Sequence, residues 1–402
     1  MPRDEPLPAQ AETLAAGAWR LAFDSLSVED GLVLREAAEP RFFPAPDPDR
    51  YRGLLSVKDL ERFLATDAGR APRVSMADAG QDGSAGVPET RFLREDGRVD
   101  PARLHAAFDA GCTLVVSQFH EMHAPLARFC RGLEKVFLHA VQANIYLTPP
   151  GAQGFHAHYD THDVLILQVQ GVKQWRVWPS QPVPHPSRRL SWKRQTTTPD
   201  VPPLLPLMQP GDALYIPRGV MHDASAQGAG EPSLHLTIGL LEPCWAEALR
   251  IALEQAELED PTLRLAFPTW RIGEPGALEA MAAFAAARLA EVTALPAMER
   301  LSVGMLDRLA RDQIAHSARS LPLREPGPDS MLRLSDMAHT HVAANPDGSI
   351  VLRWAGDPIP LAPEALAWLE QLTDGATPAQ LGGEDALAFC RTLHTLGLLD
   401  TA

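Results

Sequence analysis

The residues of this chain best suited to bond-making chemistry are His158, Asp160 and His222. In His158-Tyr-Asp160 the spacing of two places an imidazole and a carboxylate on one face of a strand. A third ligand must come from elsewhere. The segment Pro210-Gly-Asp-Ala-Leu-Tyr-Ile-Pro-Arg-Gly-Val-Met-His222 can deliver one, with a turn at Pro210-Gly-Asp, a strand over Ala213 to Ile216, and a second turn at Pro217-Arg-Gly219. Two imidazoles and one carboxylate on one face of an octahedron leave three positions open, the arrangement in which non-haem Fe(II) takes a keto acid and dioxygen. Zinc more often closes such a site or keeps one open position. His156 competes with His158 because it lies two residues upstream and faces the same way, whereas His162 reads as a polar strand-end residue.

Lys173 follows the apolar run Val164 to Val169 and a glycine, Gly171. Either it is a solvated lysine at a hairpin, or it is a fixed cation inside a barrel that pairs with the distal carboxylate of a keto acid. Asn144 and Tyr146 share a strand face with Gln142, and Thr237 lies on a later strand, Leu234 to Ile238. Each supplies a polar group to the same pocket or is a satisfied polar group of the core.

Strands must carry these residues. Residues 136–147 alternate well enough for one, and Thr113 to Phe119 has the β-branched character of a buried strand. Val164 to Val169 and Gln174 to Trp178 read as two antiparallel strands joined by a glycine-bearing turn. Proline recurs eight times from Pro179 to Leu207, so an irregular excursion interrupts the sheet. Ahead of the barrel, residues 1–17 form a frayed or loosely helical lead. Ser56 caps a helix whose Val57, Leu60, Phe63 and Leu64 share a face. Residues 80–86 are a loop, and Asp100-Pro101 starts another helix.

After Gly239, residues 246–258, 276–295 and 298–311 are Ala/Leu/Glu/Arg-rich with helical spacing. From Met331 come a strand-like piece, Ser349 to Trp354, and three short helices opening at Pro363, Thr377-Pro378 and Asp385. The last helix has Leu387, Cys390 and Leu393 on its buried stripe. This pattern suits a winged helix. The expected class is therefore α+β, with N-terminal elements and a barrel over residues 1–240 (core 136–240), a helical region over 241–325 and a winged-helix-like region over 326–402.

The 402 residues carry 36 Lys plus Arg against 51 Asp plus Glu, a net charge of −15 that disfavours nucleic-acid and anionic-membrane binding and attracts basic partners. Residues 331–402 hold three Arg, no Lys and nine acidic residues, which argues against DNA for the winged helix. Cys112, Cys130, Cys244 and Cys390 lie far apart without a CxxC pair, as buried thiols in a reducing cytoplasm would. No apolar leader and no stretch of about 18 apolar residues appears, so secretion and membrane insertion are not expected.

The combination Asn144-Ile-Tyr-Leu-Thr-Pro, Gln-Gly-Phe, His158-Tyr-Asp160, Gln-Gly-Val-Lys173-Gln-Trp-Arg-Val-Trp and Pro-Gly-Asp-Ala-Leu-Tyr-Ile-Pro-Arg-Gly with His222 resembles the ribosomal oxygenase branch of the JmjC/cupin 2-oxoglutarate oxygenases. The resemblance implies a double-stranded β-helix, a helical dimerisation domain and a C-terminal winged helix. It makes His158, Asp160 and His222 the iron ligands and Lys173 the anchor of the 2-oxoglutarate distal carboxylate. It also sets Thr237 near the cosubstrate, and Asn144 and Tyr146 in the cosubstrate or substrate pocket. This chain departs from the pattern at Thr161-His162, where relatives tend to be acidic, and at Gly239, where a small hydroxyl residue can assist substrate binding.

The expected activity is hydroxylation of a protein or peptide side chain with Fe(II), 2-oxoglutarate and O2. The acidic surface points to a basic substrate, either a ribosomal protein segment or the precursor of a peptide natural product. The cluster Arg188, Arg189, Lys193 and Arg194 is a solvated loop or a contact for RNA or acidic peptide. A non-catalytic cupin sensor is the rival of another class. A zinc hydrolase is disfavoured because His120-Glu-Met-His123 is one residue short of HExxH. Apolar faces in the helical region, such as Leu249, Ala252 and Leu253, suggest a homodimer.

Overall fold

The computed structural model describes residues 13–24, 26–66, 68–79, 86–187, 198–228, 230–312, 325–345 and 347–401. The lead over residues 1–12, most of the loop over residues 80–86, and the basic cluster Arg188, Arg189, Lys193 and Arg194 lie outside the described residues. Two compact units divide the chain, Met1–Glu242 and Pro243–Ala402. The boundary expected near residue 325 adjoins residues that are likewise outside the described set.

In the first unit the strands are β1 (Arg41–Phe43), β2 (Val74–Ala77), β3 (Thr113–Val116), β4 (Val141–Thr148), β5 (Asp163–Gln170), β6 (Val172–Val177), β7 (Leu207–Met208), β8 (Ala213–Ile216), β9 (His222–Gln227) and β10 (Ser233–Leu240). They form an antiparallel sheet in the order β1-β8-β5-β10-β4-β3-β2 and a smaller one, β7-β6-β9. The helices of this unit are α1 (Leu14–Phe23), α2 (Val28–Ala37), α3 (Val57–Leu64), α4 (Pro101–Asp109) and α5 (Ala124–Phe137). Ser56 caps α3 with a reciprocal box to Asp59, and Asp100 caps α4 ahead of Pro101, as the local sequence predicts.

Alternation sorts the large sheet into two faces. Leu234, Leu236, Ile238 and Leu240 of β10 join Val141, Ala143 and Ile145 of β4 in one core with Trp19 and Phe23 of α1 and Leu126, Phe129 and Leu133 of α5. The intervening residues, His235 and Thr237 on β10 and Tyr146 on β4, turn to the other face and line a cavity. Strand β5 is buried on both sides. Leu165 and Leu167 belong to the helix-side core, while Val164 and Ile166 pack with Trp175, Val177 and Met208. That explains its unbroken apolar run.

Two expectations need correction. Strands β5 and β6 are not a hairpin: β5 pairs with β8 and β10, and β6 pairs with β7 and β9. Gly171, at φ +67°, turns the chain from one sheet to the other, and a Cβ there would lie 2.5 Å from the Pro232 carbonyl oxygen. The strand expected from residue 136 begins at Val141, because α5 continues to Phe137 and ends with Leu138 in the left-handed region. Buried Glu134, paired with Arg131, accepts the Val141 N–H at 3.0 Å and ties this helix to β4.

The second unit opens with α6 (Trp245–Glu259), α7 (Ala277–Val292) and α8 (Leu295–Asp312), which share a small core of Ala252, Val292 and Leu301. Then follow β11 (Leu332–Leu334), β12 (His341–Ala344), β13 (Ile350–Arg353), β14 (Ile359–Pro360), α9 (Pro363–Asp374), α10 (Pro378–Leu381), α11 (Glu384–Thr395) and β15 (Leu399–Thr401). Strands β11 and β15 pair, and β12-β13-β14 form a second small sheet. Cys390 and Leu393 are buried with Leu332, Leu369 and Leu372, whereas Leu387 is only half-buried.

Candidate metal centre

His222 opens β9, and His158 lies opposite it outside the regular strands. The two exchange both backbone hydrogen bonds, His158 N–H to the His222 carbonyl at 3.0 Å and the reverse at 2.7 Å. Their ring centroids are 4.6 Å apart. Asp160 completes the group: one ligand atom from each of the three residues lies within 4.8 Å of the others, and Asp160 Oδ2 is 3.7 Å from His222 Nε2. The Nδ1 of His158 is 2.8 Å from the His156 carbonyl, and that of His222 is 3.0 Å from the Val220 carbonyl. Each Nδ1–H therefore donates to a carbonyl two residues upstream, which orients the ring and assigns Nε2 as the metal-facing atom.

Burial lowers His222 to about 4, with His158 acting in the same direction, so its imidazole is neutral, as a ligand must be. Burial by itself would raise Asp160, but the His222, His158 and His162 imidazoles outweigh that and hold it below the ordinary carboxylate range. An ionised carboxylate between two imidazoles is suited to a divalent cation. Asp223 also borders this space, but it is engaged by Arg176 through Nε at 2.7 Å.

The cavity beside the triad has a volume of about 180 Å³. Lys173 stands on β6, 4% exposed, with Nζ 2.9 Å from the Thr148 hydroxyl and 3.4 Å from His235 Nδ1. It points inward and is not at a hairpin. Burial alone lowers it to about 7. Trp175, two residues on and so on the same face, has a buried indole Nε1 without an acceptor. Among the described residues no carboxylate lies against this buried ammonium, and with an orphan donor nearby it matches an anionic ligand.

Residues 115–248 match the family model described as JmjC domain. Ribosomal oxygenase 1 of Homo sapiens is 33% identical over 225 residues, which are 53% of this chain and 33% of that protein. The bifunctional lysine-specific demethylase and histidyl-hydroxylase NO66 of Aedes aegypti is 30% identical over 254 residues, 60% of this chain and 38% of that one. Residues 115–248 of this chain are thus a JmjC domain, similar in sequence to those of the ribosomal oxygenases. The chain spans a third to two fifths of the length of these relatives. The ribosomal oxygenase YcfD of Escherichia coli, whose structure in complex with cobalt and 2-oxoglutarate is known, aligns over 94% of this chain and 98% of its own, with a TM-score of 0.53 at 18% identity. That likeness shows a shared fold of mixed helix and sheet, the JmjC/cupin fold.

Within the JmjC domain, His158, Asp160, His222, Lys173, Tyr146 and Thr237 all border the cavity. Asn144 pairs with Thr237 in register but is not among the lining residues, and its Oδ1 accepts the Gln118 N–H at 2.9 Å. His156 is exposed and outside the triad, contributing only its carbonyl. His162 is half-buried with Nε2 3.3 Å from Gln142 Nε2. A Cβ on Gly239 would sit 2.8 Å from that His162 nitrogen, so the two departures from the family pattern are sterically linked.

Sequence reasoning missed His235, which stacks on Tyr146 at 4.9 Å and 7° and approaches Lys173. Burial, and then Lys173, keep it neutral. The signal was available, since Leu234-His-Leu-Thr-Ile alternates and puts His235 on the face of Thr237. Thr113 and Thr148, which share a hydrogen bond at 3.2 Å beneath Lys173, lie on different strands and have no such local signature.

Proposed function

We propose that this chain is an Fe(II)- and 2-oxoglutarate-dependent hydroxylase acting on a side chain of a protein or peptide. The observation that carries this reading is the His158, Asp160 and His222 triad facing the same cavity as a buried lysine that has no carboxylate partner among the described residues. When bound, Fe(II) with 2-oxoglutarate and O2 supplies the oxidation: one oxygen atom enters a substrate C–H bond to give C–OH, the other enters succinate, and CO2 leaves.

The residues divide the remaining work. His158, Asp160 and His222 would hold the metal, each with one ligand atom, and would leave coordination positions for the reactants. Lys173, steadied by Thr148, would hold the distal carboxylate, and the ion pair gains strength because the ammonium is buried. Tyr146 and Thr237 border the cosubstrate, with Asn144 supporting the strand behind. Ile166 and Trp175 contribute apolar wall that excludes water.

The substrate we infer is a basic segment of a ribosomal protein. The net charge of −15 and the likeness to proteins named ribosomal oxygenase and histidyl-hydroxylase support it. Mass spectrometry of ribosomal proteins from a deletion strain tests this: one protein should lose a one-oxygen increment. An unchanged set, with succinate still formed when precursor peptides are supplied, would move the substrate to peptide natural products. No succinate with any peptide, in the presence of bound metal, would favour a sensor.

We also infer a homodimer through the helices after residue 243. Trp245 is 77% and Leu258 82% exposed, and Leu249, Leu253, Phe284 and Leu289 are exposed as well. Apolar area of this extent is usually covered by a partner. Sedimentation should give twice the chain mass at micromolar concentration, and a monomer there would overturn it. For the C-terminal elements we propose a winged helix that docks protein and not nucleic acid. Among the described residues, no helix is long and apolar enough to cross a membrane.

A further inference from the structure

Three contacts tie the turn that carries His222 to the segment that carries Asp160. His158 and His222 exchange backbone hydrogen bonds, and the Gly219 N–H donates to the Asp160 carbonyl at 2.9 Å. The third is the only one of these made by a side chain: the Arg218 N–H donates to Asp163 Oδ1 at 3.0 Å. The other oxygen of Asp163 accepts the Tyr215 hydroxyl at 2.6 Å and lies 3.7 Å from Arg35 Nε.

Tyr215 precedes the Pro217 turn and Arg218 lies within it, so one carboxylate grips the turn from both sides. Asp163 does not border the metal cavity. It lines a second cavity of about 380 Å³ behind the turn, with Arg35, Arg218 and Glu242. There Glu242 pairs with Arg218 at 3.2 Å and with Arg35 at 3.6 Å. Burying a carboxylate at 6% exposure is costly unless each lone pair is used, and here both oxygens are. An apolar residue would satisfy the packing of β5 equally well, but it could not hold the turn.

We infer that Asp163 is a positioning residue for the metal centre: by clamping Tyr215 and the Arg218 N–H it sets where the turn delivers His222 Nε2 relative to Asp160. The inference rests on the metal-centre reading above. Charge-assisted hydrogen bonds to backbone N–H groups are short and directional, and a ligand set tolerates displacements of only about half an ångström.

Co(II) titration of the purified full chain, followed by visible absorption, tests it with four proteins: wild type, Asp163→Ala, Asp163→Asn and Leu167→Ala. Leu167 is a core residue of β5 away from the site, so Leu167→Ala should lower the melting temperature while keeping wild-type affinity and spectrum. Asp163→Ala should bind Co(II) about 10–100-fold more weakly with an altered d–d envelope. Asp163→Asn, which retains an acceptor for Arg218, should lose about tenfold and decides the matter if the alanine variant does not fold. Wild-type affinity and spectrum in Asp163→Asn and in any folded Asp163→Ala would overturn the inference. Failure of the wild-type chain to bind Co(II) would instead overturn the metal-centre reading, and this inference with it.

Discussion

His158 and His222 form a two-residue antiparallel bridge, each donating its backbone N–H to the carbonyl of the other at 3.0 and 2.7 Å. The bridge brings their rings to 4.6 Å. A ligand pair drawn from distant parts of the chain is thereby held with the precision of a sheet, which loops alone would not provide. The third ligand, Asp160, lies two residues after His158, outside the regular strands, and its carbonyl accepts the Gly219 N–H at 2.9 Å from the turn that leads to His222.

Removing a ligand should abolish metal binding without unfolding the barrel. His222→Ala is expected to lose Co(II) affinity by more than the ~10–100-fold typical of an outer partner. Circular dichroism should show an intact fold. Retention of wild-type Co(II) affinity by this variant would refute the triad.

Lys173→Met should separate function from stability. Loss of the cation should weaken 2-oxoglutarate binding by about 2–5 kcal/mol, measurable by calorimetry on the metal-loaded chain. The apo protein should gain about 1–3 kcal/mol, because a buried charge with no carboxylate partner among the described residues is replaced by apolar volume. The sign with pH follows from the depressed folded value of about 7 against 10.5 unfolded. Between these values the unfolded chain binds more protons, so wild-type stability rises with pH, and the variant should lack that rise.

His139 sets an acid limit. Its ring stacks on Phe137, accepts from Arg35 through Nε2 at 3.2 Å and donates through Nδ1 to the Ala140 carbonyl at 3.1 Å. Burial, and then Arg35, lower it from 6.5 to about 4. As pH falls from 6.5 toward 4 the unfolded chain takes up a proton that the folded chain refuses, and stability is lost across that window. Urea denaturation at a series of pH values should show a shallower loss for His139→Gln.

Gly239 and His162 should be energetically coupled. Gly239→Ala places a methyl 2.8 Å from His162 Nε2 and 3.0 Å from Gln142 Cγ. The imidazole must swing away from Gln142, at a cost of about 1 kcal/mol. In His162→Ala the same glycine substitution should cost less, since only the 3.0 Å approach to Gln142 Cγ is left. A double-mutant cycle should return at least ~0.5 kcal/mol of coupling, and an additive cycle would show that the two residues are independent.

Much of this protein was determined locally, and local information is what a sequence carries. Ser56 and Asp100 specify helix starts because each completes its own N-terminal hydrogen bonds, whereas His158-Tyr-Asp160, expected on a strand, lies outside the regular strands and meets its partner only through the bridge to His222. The alternation of Leu234-His-Leu-Thr-Ile238 separates the core face from the cavity face. Which strands are neighbours was decided only in three dimensions. Gly171 sends β5 and β6 into different sheets, although their spacing imitates a hairpin, and that crossing carries Lys173 to a buried position beside the cavity. The bridge between His158 and His222, the stack of Tyr146 on His235 and the grip of Asp163 on the Arg218 turn depend in the same way on long-range pairing. Sequence spacing sets the direction of a side chain; the packing of distant segments sets what it meets there.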